Sequence, residues 1–424
     1  MVRKSVWLGV ALLAGVTTAQ AAVQVGEGRI EAAAVGMAGL SSEPSRMAAG
    51  VGLDGVYTRA YNETLTFGVG GSVALPLFET KDSDTGAYGG APLLGLESTT
   101  GGRSGLFFSL NRFYAHHQKP GYDLMAGRFL FDSPLVSSSQ GFRMAPNAVE
   151  AVVATFDDKA PNFRFSVGYV NAFSGPSSGS LGSNGSDKGS FASMSDTLFG
   201  TQAGGNSNVD NMGVLTGAAL YQNDEAELKG QGWLYLMPAV KTTTGKGGLS
   251  AIYLDGSKAL PVGAHRATAS AQLINVTGTE DADAYSHSII GAMFQMEISE
   301  PLTIEAALNA VSGDGGIVEP WGPTPAYASG YEASIAGLHK GQVVRVGGRY
   351  ALGDLSETFV NANVMGNLVY QNGKDDNGAD YSATHLEGVF RAKVQESVDG
   401  DARLLIGGGD AEGMTLLLRA AYRF

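Results

Sequence analysis

The chain contains no cysteine. That excludes a disulfide framework, a lipid-modified cysteine anchor, a thiolate metal site and a catalytic thiol. Charge is also scarce: Asp, Glu, Lys and Arg make up 16% of the 424 residues, against about a quarter in soluble domains. No apolar run approaches the ~20 residues of a membrane helix. No fixed internal period marks a solenoid or repeat array. The formal charge of −13 argues against nucleic acid as a partner. Neither a Gly-rich phosphate loop nor a nucleophile elbow occurs in a strand–turn–helix context. His116 and His117 lie in a turn-like stretch without a third ligand, which gives no basis for a metal site. The acidic run from Asp375 to Asp380 lacks the spacing and closing glutamate of a calcium loop. His287 and Ser288 are strand neighbours on opposite faces and cannot form a Ser–His pair. No cofactor, metal or enzymatic activity is expected.

Alternation is what remains. The last ten residues, Thr415 to Phe424, place Leu416, Leu418, Ala420, Tyr422 and Phe424 on one face and Leu417, Arg419, Ala421 and Arg423 on the other. Side chains of a strand point alternately to opposite faces, so this strand is apolar on one side and basic on the other. Leu65–Leu75, Phe163–Tyr169, Ala267–Leu273, Leu302–Leu308 and the segment 358–367 alternate similarly, with small or polar residues on the second face. Short apolar-out, polar-in strands with 61 glycines and mean hydropathy near zero predict a transmembrane antiparallel β-barrel with a wet lumen. The terminal aromatic pattern resembles the signal read by the barrel-assembly machinery of Gram-negative bacteria, carried here by Tyr422 and Phe424.

Residues 1–21 read as a secretory signal peptide: Arg3 and Lys4, an apolar core from Val6 to Val16, then Ala19-Gln20-Ala21. Residues 22–424 are then one barrel domain, and loss of Arg3 and Lys4 takes the charge from −13 to −15. Its acidic excess is expected in outer loops, where divalent cations could bridge it to lipopolysaccharide. Short turns are expected at 61–63, 157–162, 223–226, 299–301 and 353–355. Longer Gly-, Ser-, Asp- and Asn-rich connections are expected at 80–102, 133–147, 173–212, 314–333 and 371–382. Short periplasmic turns and long extracellular loops at roughly 22 residues per strand give about 18 strands, with 16 as the alternative.

Two loops suggest a family. Leu124 to Ala151 (LMAGRFLFDSPLVSSSQGFRMAPNAVEA) resembles the signature region of OprD-like porins, matching at Gly127, Arg128, Pro134, Arg143, Pro146 and Asn147. Related sequences usually carry an acid just before the loop arginine; here Gln140-Gly141-Phe142 precede Arg143. Val311 to Tyr331 is similar to the late Trp-Gly-x-x-Pro-Ala-Tyr loop of these porins, at Trp321, Gly322, Pro325, Ala326 and Tyr327. The resemblance implies about 18 strands and two loops folded into the lumen. Arg128, Asp132, Arg143, Glu319, Trp321 and Tyr327 are the candidate constriction residues, with Trp321 and Tyr327 read mainly as loop-packing aromatics. It further implies an outer-membrane channel for passive diffusion of small hydrophilic solutes. Such porins are often trimers, although no interface patch is legible.

Assigning apolar alternation to lipid turns Arg345, Arg349, Arg391, Lys393, Arg403, Arg419 and Arg423 inward. The family uses such a basic wall to guide anionic, often carboxylate-bearing, solutes. Asp132, Glu305 and Glu387 are the candidate opposing acids. Inward arginines that merely pair with inward acids, or sit at the rim as Arg403 and Arg423 could, are the plainer reading. The rival function is an adhesin or structural barrel with a plugged lumen.

Overall fold

Outward apolar side chains alternating with small or polar inward ones leave each strand edge to pair, and in lipid every edge must pair. The structure, a computed structural model, describes residues 24–25, 28–42, 45–81, 106–138, 144–174, 191–199, 210–241, 245–280, 282, 285–313, 317, 319, 321–331, 333–336, 338–357, 359–375, 378–394 and 398–423. Eighteen antiparallel staves form one closed ring. These are β1 (Gly28–Ser42), β2 (Ser45–Ala60), β3 (Leu65–Glu79), β4 (Phe107–Lys119), β5 (Tyr122–Phe129) and β6 (Ala148–Ala160). The ring continues with β7 (Phe163–Ser174), β8 (Val214–Asn223), β9 (Leu228–Lys241), β10 (Lys246–Val262), β11 (His265–Glu280) and β12 (His287–Glu297). It ends with β13 (Leu302–Gly313), β14 (Lys340–Gly353), β15 (Phe359–Lys374), β16 (Asp380–Val394), β17 (Val398–Gly409) and β18 (Gly413–Arg423). Each stave pairs with the next, and β18 pairs with β1 from Ala33↔Arg423 to Ser41↔Thr415. Two-residue strands at Gln24–Val25 and Ala192–Ser193 lie beside β1 and β7.

The expected parity holds around the ring. Phe113, Ile290, Val346 and Leu386 are more than half exposed, a band of large apolar side chains that suits lipid and no soluble surface. Val343, Val369, Ile274 and Tyr235, on inward positions, are fully buried. The interior is therefore packed by something other than lipid, namely the long connections.

Connections at one rim, such as 61–64, 161–162, 263–264 and 298–301, have at most five residues. The opposite rim carries the long segments 80–106, 130–147, 175–213 and 314–339. One expectation fails: 371–382 is no long loop. Strand pairing runs on through Lys374↔Asp380, and Asp375 accepts the Ala379 N–H to close a tight turn. His116 and His117 likewise lie within β4, where His116 Nε2 meets Asp123 2.8 Å away and His117 stacks on the Tyr122 edge. The segment 1–23, including the expected signal peptide, lies outside the described residues.

Candidate functional site

Loop 314–339 turns into the lumen because the staves present polar groups where its backbone needs partners; a buried peptide N–H or C=O without one is costly. Gln272 of β11 donates to the Pro325 carbonyl at 2.5 Å and accepts the Tyr327 N–H at 3.3 Å. Asn309 of β13 accepts the Ala328 N–H at 2.6 Å. Glu387 of β16, 2% exposed, accepts the N–H groups of Tyr331 and Ala333, both at 2.8 Å, and a further bond from Asn367. Gln371 of β15 donates to the Ser334 carbonyl at 2.8 Å. Four staves thus hold one loop by its main chain. A side chain on Gly330 would collide with the Glu387 carboxylate, so that contact requires glycine.

Trp321 joins this loop to two others. Its indole N–H donates to Thr197 Oγ1 at 2.8 Å, on the short helix α1 (Met194–Phe199). Its carbonyl accepts the Ser137 N–H of loop 130–147 at 3.0 Å. Asp132 braces that loop by accepting from Ser137, Ser138 N and Ser138 Oγ at 2.7–3.2 Å. Val136 packs in one buried cluster with Tyr235 and Trp321, while Met144 and Ala145 pack in another with Val35, Met37 and Phe107. Asn147 ties the two ends of the loop together, donating its N–H to the Ser138 carbonyl at 2.8 Å and its side-chain amide to the Ser137 carbonyl at 3.0 Å. Arg143 lies outside the described residues.

Glu319 belongs to the same assembly. It accepts from Thr324 N at 2.8 Å and Ser334 Oγ at 3.1 Å. Burial raises its carboxyl pKa above the ordinary value, and those hydrogen bonds only partly oppose the shift. Tyr327 donates its hydroxyl to Asp255 of β10. Burial, then that carboxylate, pushes the Tyr327 phenol up, so it stays protonated.

Arg345, Arg349, Arg391, Lys393, Arg403 and Arg419 face inward by register. Arg345 pairs with Glu305 at 3.0 Å, both largely buried. Arg391 and Arg403 both bind Asp401 of β17, at 3.1 and 3.2 Å. Arg419 lies opposite Asp401 in the ladder, and Lys393 lies opposite Asp399. Arg349 and Lys393 are exposed, and the Arg391 side chain is 43% exposed. These three stand toward the short-turn rim, beyond the loop assembly, so the basic residues and the loop contacts occupy successive levels. Of the expected acids, Glu305 is spent on Arg345 and Glu387 on the loop; Asp132 is exposed but engaged with its own loop. The Arg423 side chain and Phe424 lie outside the described residues, while Tyr422 pairs between Val398 and Ala34.

Arg128 departs from the constriction grouping. It sits opposite Phe113 and Glu150 on the outward parity, pairs with Glu150 at 3.1 Å, and is covered by the Phe191 ring. Gly127, with φ of 119°, carries the chain through this point. Sequence reasoning missed four inward acids, one of them the Asp255 that takes the Tyr327 hydroxyl. Asp401 and Asp399 share the parity that put Arg403 inside and could have been read from it. Asp54 takes a two-pronged ion pair from Arg112, at 2.8 and 2.7 Å, and a bond from Ser72. A bulge in β4, opposite Gly70–Ser72, turns the consecutive residues Asn111 and Arg112 both inward and breaks the alternation there.

A closed 18-stave barrel with long loops packed inside its lumen is the architecture of a porin. No protein-family model matches the sequence, and no curated protein does. Solved structures of OprD-family outer-membrane porins do match its fold. OccK9 (OpdG) of Pseudomonas aeruginosa superposes with a TM-score of 0.73 at 13% identity, over 94% of this chain and 98% of that one. OpdK of Pseudomonas aeruginosa, solved with vanillate, gives 0.71 at 13% over 94% and 98%. OccAB4 of Acinetobacter baumannii gives 0.68 at 13% over 95% and 99%. At such identity the likeness is one of fold.

Proposed function

We propose that the protein is an outer-membrane channel of a Gram-negative bacterium, through which small hydrophilic solutes diffuse passively, with a preference for anions. The observation that carries this reading is the division of the lumen. Loops joined at Trp321 narrow it, while the cations Arg349, Arg391 and Lys393 remain accessible toward the short-turn rim. A narrowed, charged, water-filled passage selects by size and sign. A carboxylate-bearing solute suits it, and the related fold solved with the carboxylate vanillate supports that class. Asp401 tempers the field by engaging Arg391 and Arg403, so the preference is modest rather than absolute. In this reading residues 1–21 direct secretion, the assembly machinery inserts the barrel, and lipopolysaccharide surrounds its long-loop rim. Residues within the two buried clusters favour a second reading, a structural barrel plugged by its own loops.

Planar-bilayer recording decides between them. The channel gives discrete ohmic steps, and their absence from a folded, heat-modifiable sample would leave the plugged barrel. In a salt gradient the reversal potential is expected on the anion side; a cation-selective potential would remove the anion preference and leave the channel.

A further inference from the structure

On the outer wall, small residues interrupt the apolar band. One ladder row runs Arg59, Phe67, Ala115, Ala126, Val152 across β2 to β6. Phe67 and Val152 project about half exposed, and Phe113 projects further in the adjoining row. Ala115 and Ala126 pair directly between them and leave a depression floored by backbone. Its cavity volume is about 790 Å³. That is the size range of built small-molecule sites. Arg59 and Tyr61 line its short-turn end; both are exposed, and Arg59 shares the outward face of Phe67.

An outward arginine is tolerated near the membrane interface and costs ~2–4 kcal/mol at midplane, so Arg59 marks the head-group level. Lipid tails are as apolar as the depression, so apolar burial alone confers no selectivity there. Discrimination must come from the shape of the hollow and from charge-assisted hydrogen bonds of a guanidinium to phosphate. An apolar hollow with a guanidinium at its end complements an amphiphile with an anionic head, and a phosphate head suits that guanidinium.

We infer that this groove holds one glycerophospholipid of the leaflet at the short-turn rim, its phosphate on Arg59 and an acyl chain over Ala115 and Ala126. The inference rests on the outward face meeting a bilayer. Full-length barrel stripped in mild detergent and titrated with phosphatidylglycerol is read by native mass spectrometry. One retained lipid per barrel is expected, and diacylglycerol with the same tails is expected to be lost. Arg59→Gln should weaken retention by about tenfold, the scale of one charge-assisted contact. Ala126→Phe, which fills the hollow without changing charge, should abolish it. Both variants should keep heat-modifiability and wild-type conductance, because the groove lies outside the lumen; loss of the lipid is thereby separated from failure of the channel. Equal retention by wild type and Ala126→Phe would overturn the inference, as would equal retention of diacylglycerol or a wild-type mass showing a second copy over the groove.

Discussion

Replacing Glu387 by Ala should turn a quiet channel into a flickering one. The carboxylate accepts the Tyr331 and Ala333 N–H groups at 2.8 Å while almost wholly buried. A hydrogen bond to a charged group contributes about 1.5–3 kcal/mol net, so the two together hold the 330–334 segment by at least about 3 kcal/mol. Each 1.4 kcal/mol is tenfold. Their loss therefore lowers the ratio of docked to released segment by roughly 100-fold or more. Other local restraints include the Gln371 bond to Ser334, the Tyr331 hydroxyl on Met365, the Ser334 bond to Glu319 and the burial of Ala333 and Ile335. Glu387→Gln keeps the volume and one acceptor oxygen, so about half the loss, roughly tenfold, is expected. Gly330→Ala should reproduce the Ala phenotype by steric conflict with an intact carboxylate. Single-channel recording in planar bilayers reads all three as added conductance substates and excess current noise, graded Ala above Gln. A Glu387→Ala channel with wild-type conductance and wild-type noise would refute the reasoning.

Three further outcomes follow from the same contacts. Trp321→Phe keeps the ring but removes the donor to Thr197; a loosening of about 1 kcal/mol should appear as faster proteolysis near α1. Asp401→Asn should move the reversal potential further toward anions, because Arg391 and Arg403 lose their shared counter-charge; a shift toward cations would contradict the wall assignment. Glu319 has a raised pKa when docked, so the docked loop binds its proton more tightly than the released one. Docking is then strongest below the ordinary carboxylate value and weakens as pH rises through the raised pKa. Current noise should fall on acidification, and Glu319→Gln should be quiet and lose that dependence.

Much of this architecture was legible because alternation is a local signal. Phe67, Val69 and Leu75 against Gly68, Gly70 and Ser72 needed only period two. The same parity put Arg345, Arg391 and Arg403 inside. It failed where a bulge shifts the count, as in β4, where the consecutive residues Asn111 and Arg112 are both buried, and attention to cations alone passed over Asp401. Arg128 was grouped by motif with a loop that its own strand parity contradicts. Glu387 was visible as an inward acid, but its use was not: the groups it binds are main-chain N–H groups of Tyr331 and Ala333, which have no sequence signature. α1 likewise follows a low-complexity stretch and is held by Trp321, 124 positions away from Thr197.

The seam between β18 and β1 has a consequence for how the chain comes to exist. Met414 donates to Ser42 across 372 positions. Until the final strand arrives, both ends of the growing sheet are open edges, the kind of surface that recruits other chains. Loop-closure entropy must be met before any seam contact rewards it. The ring is therefore the last thing made and the first thing a shortened chain would forfeit, so safe passage before insertion calls for a holding factor that masks unclosed strands.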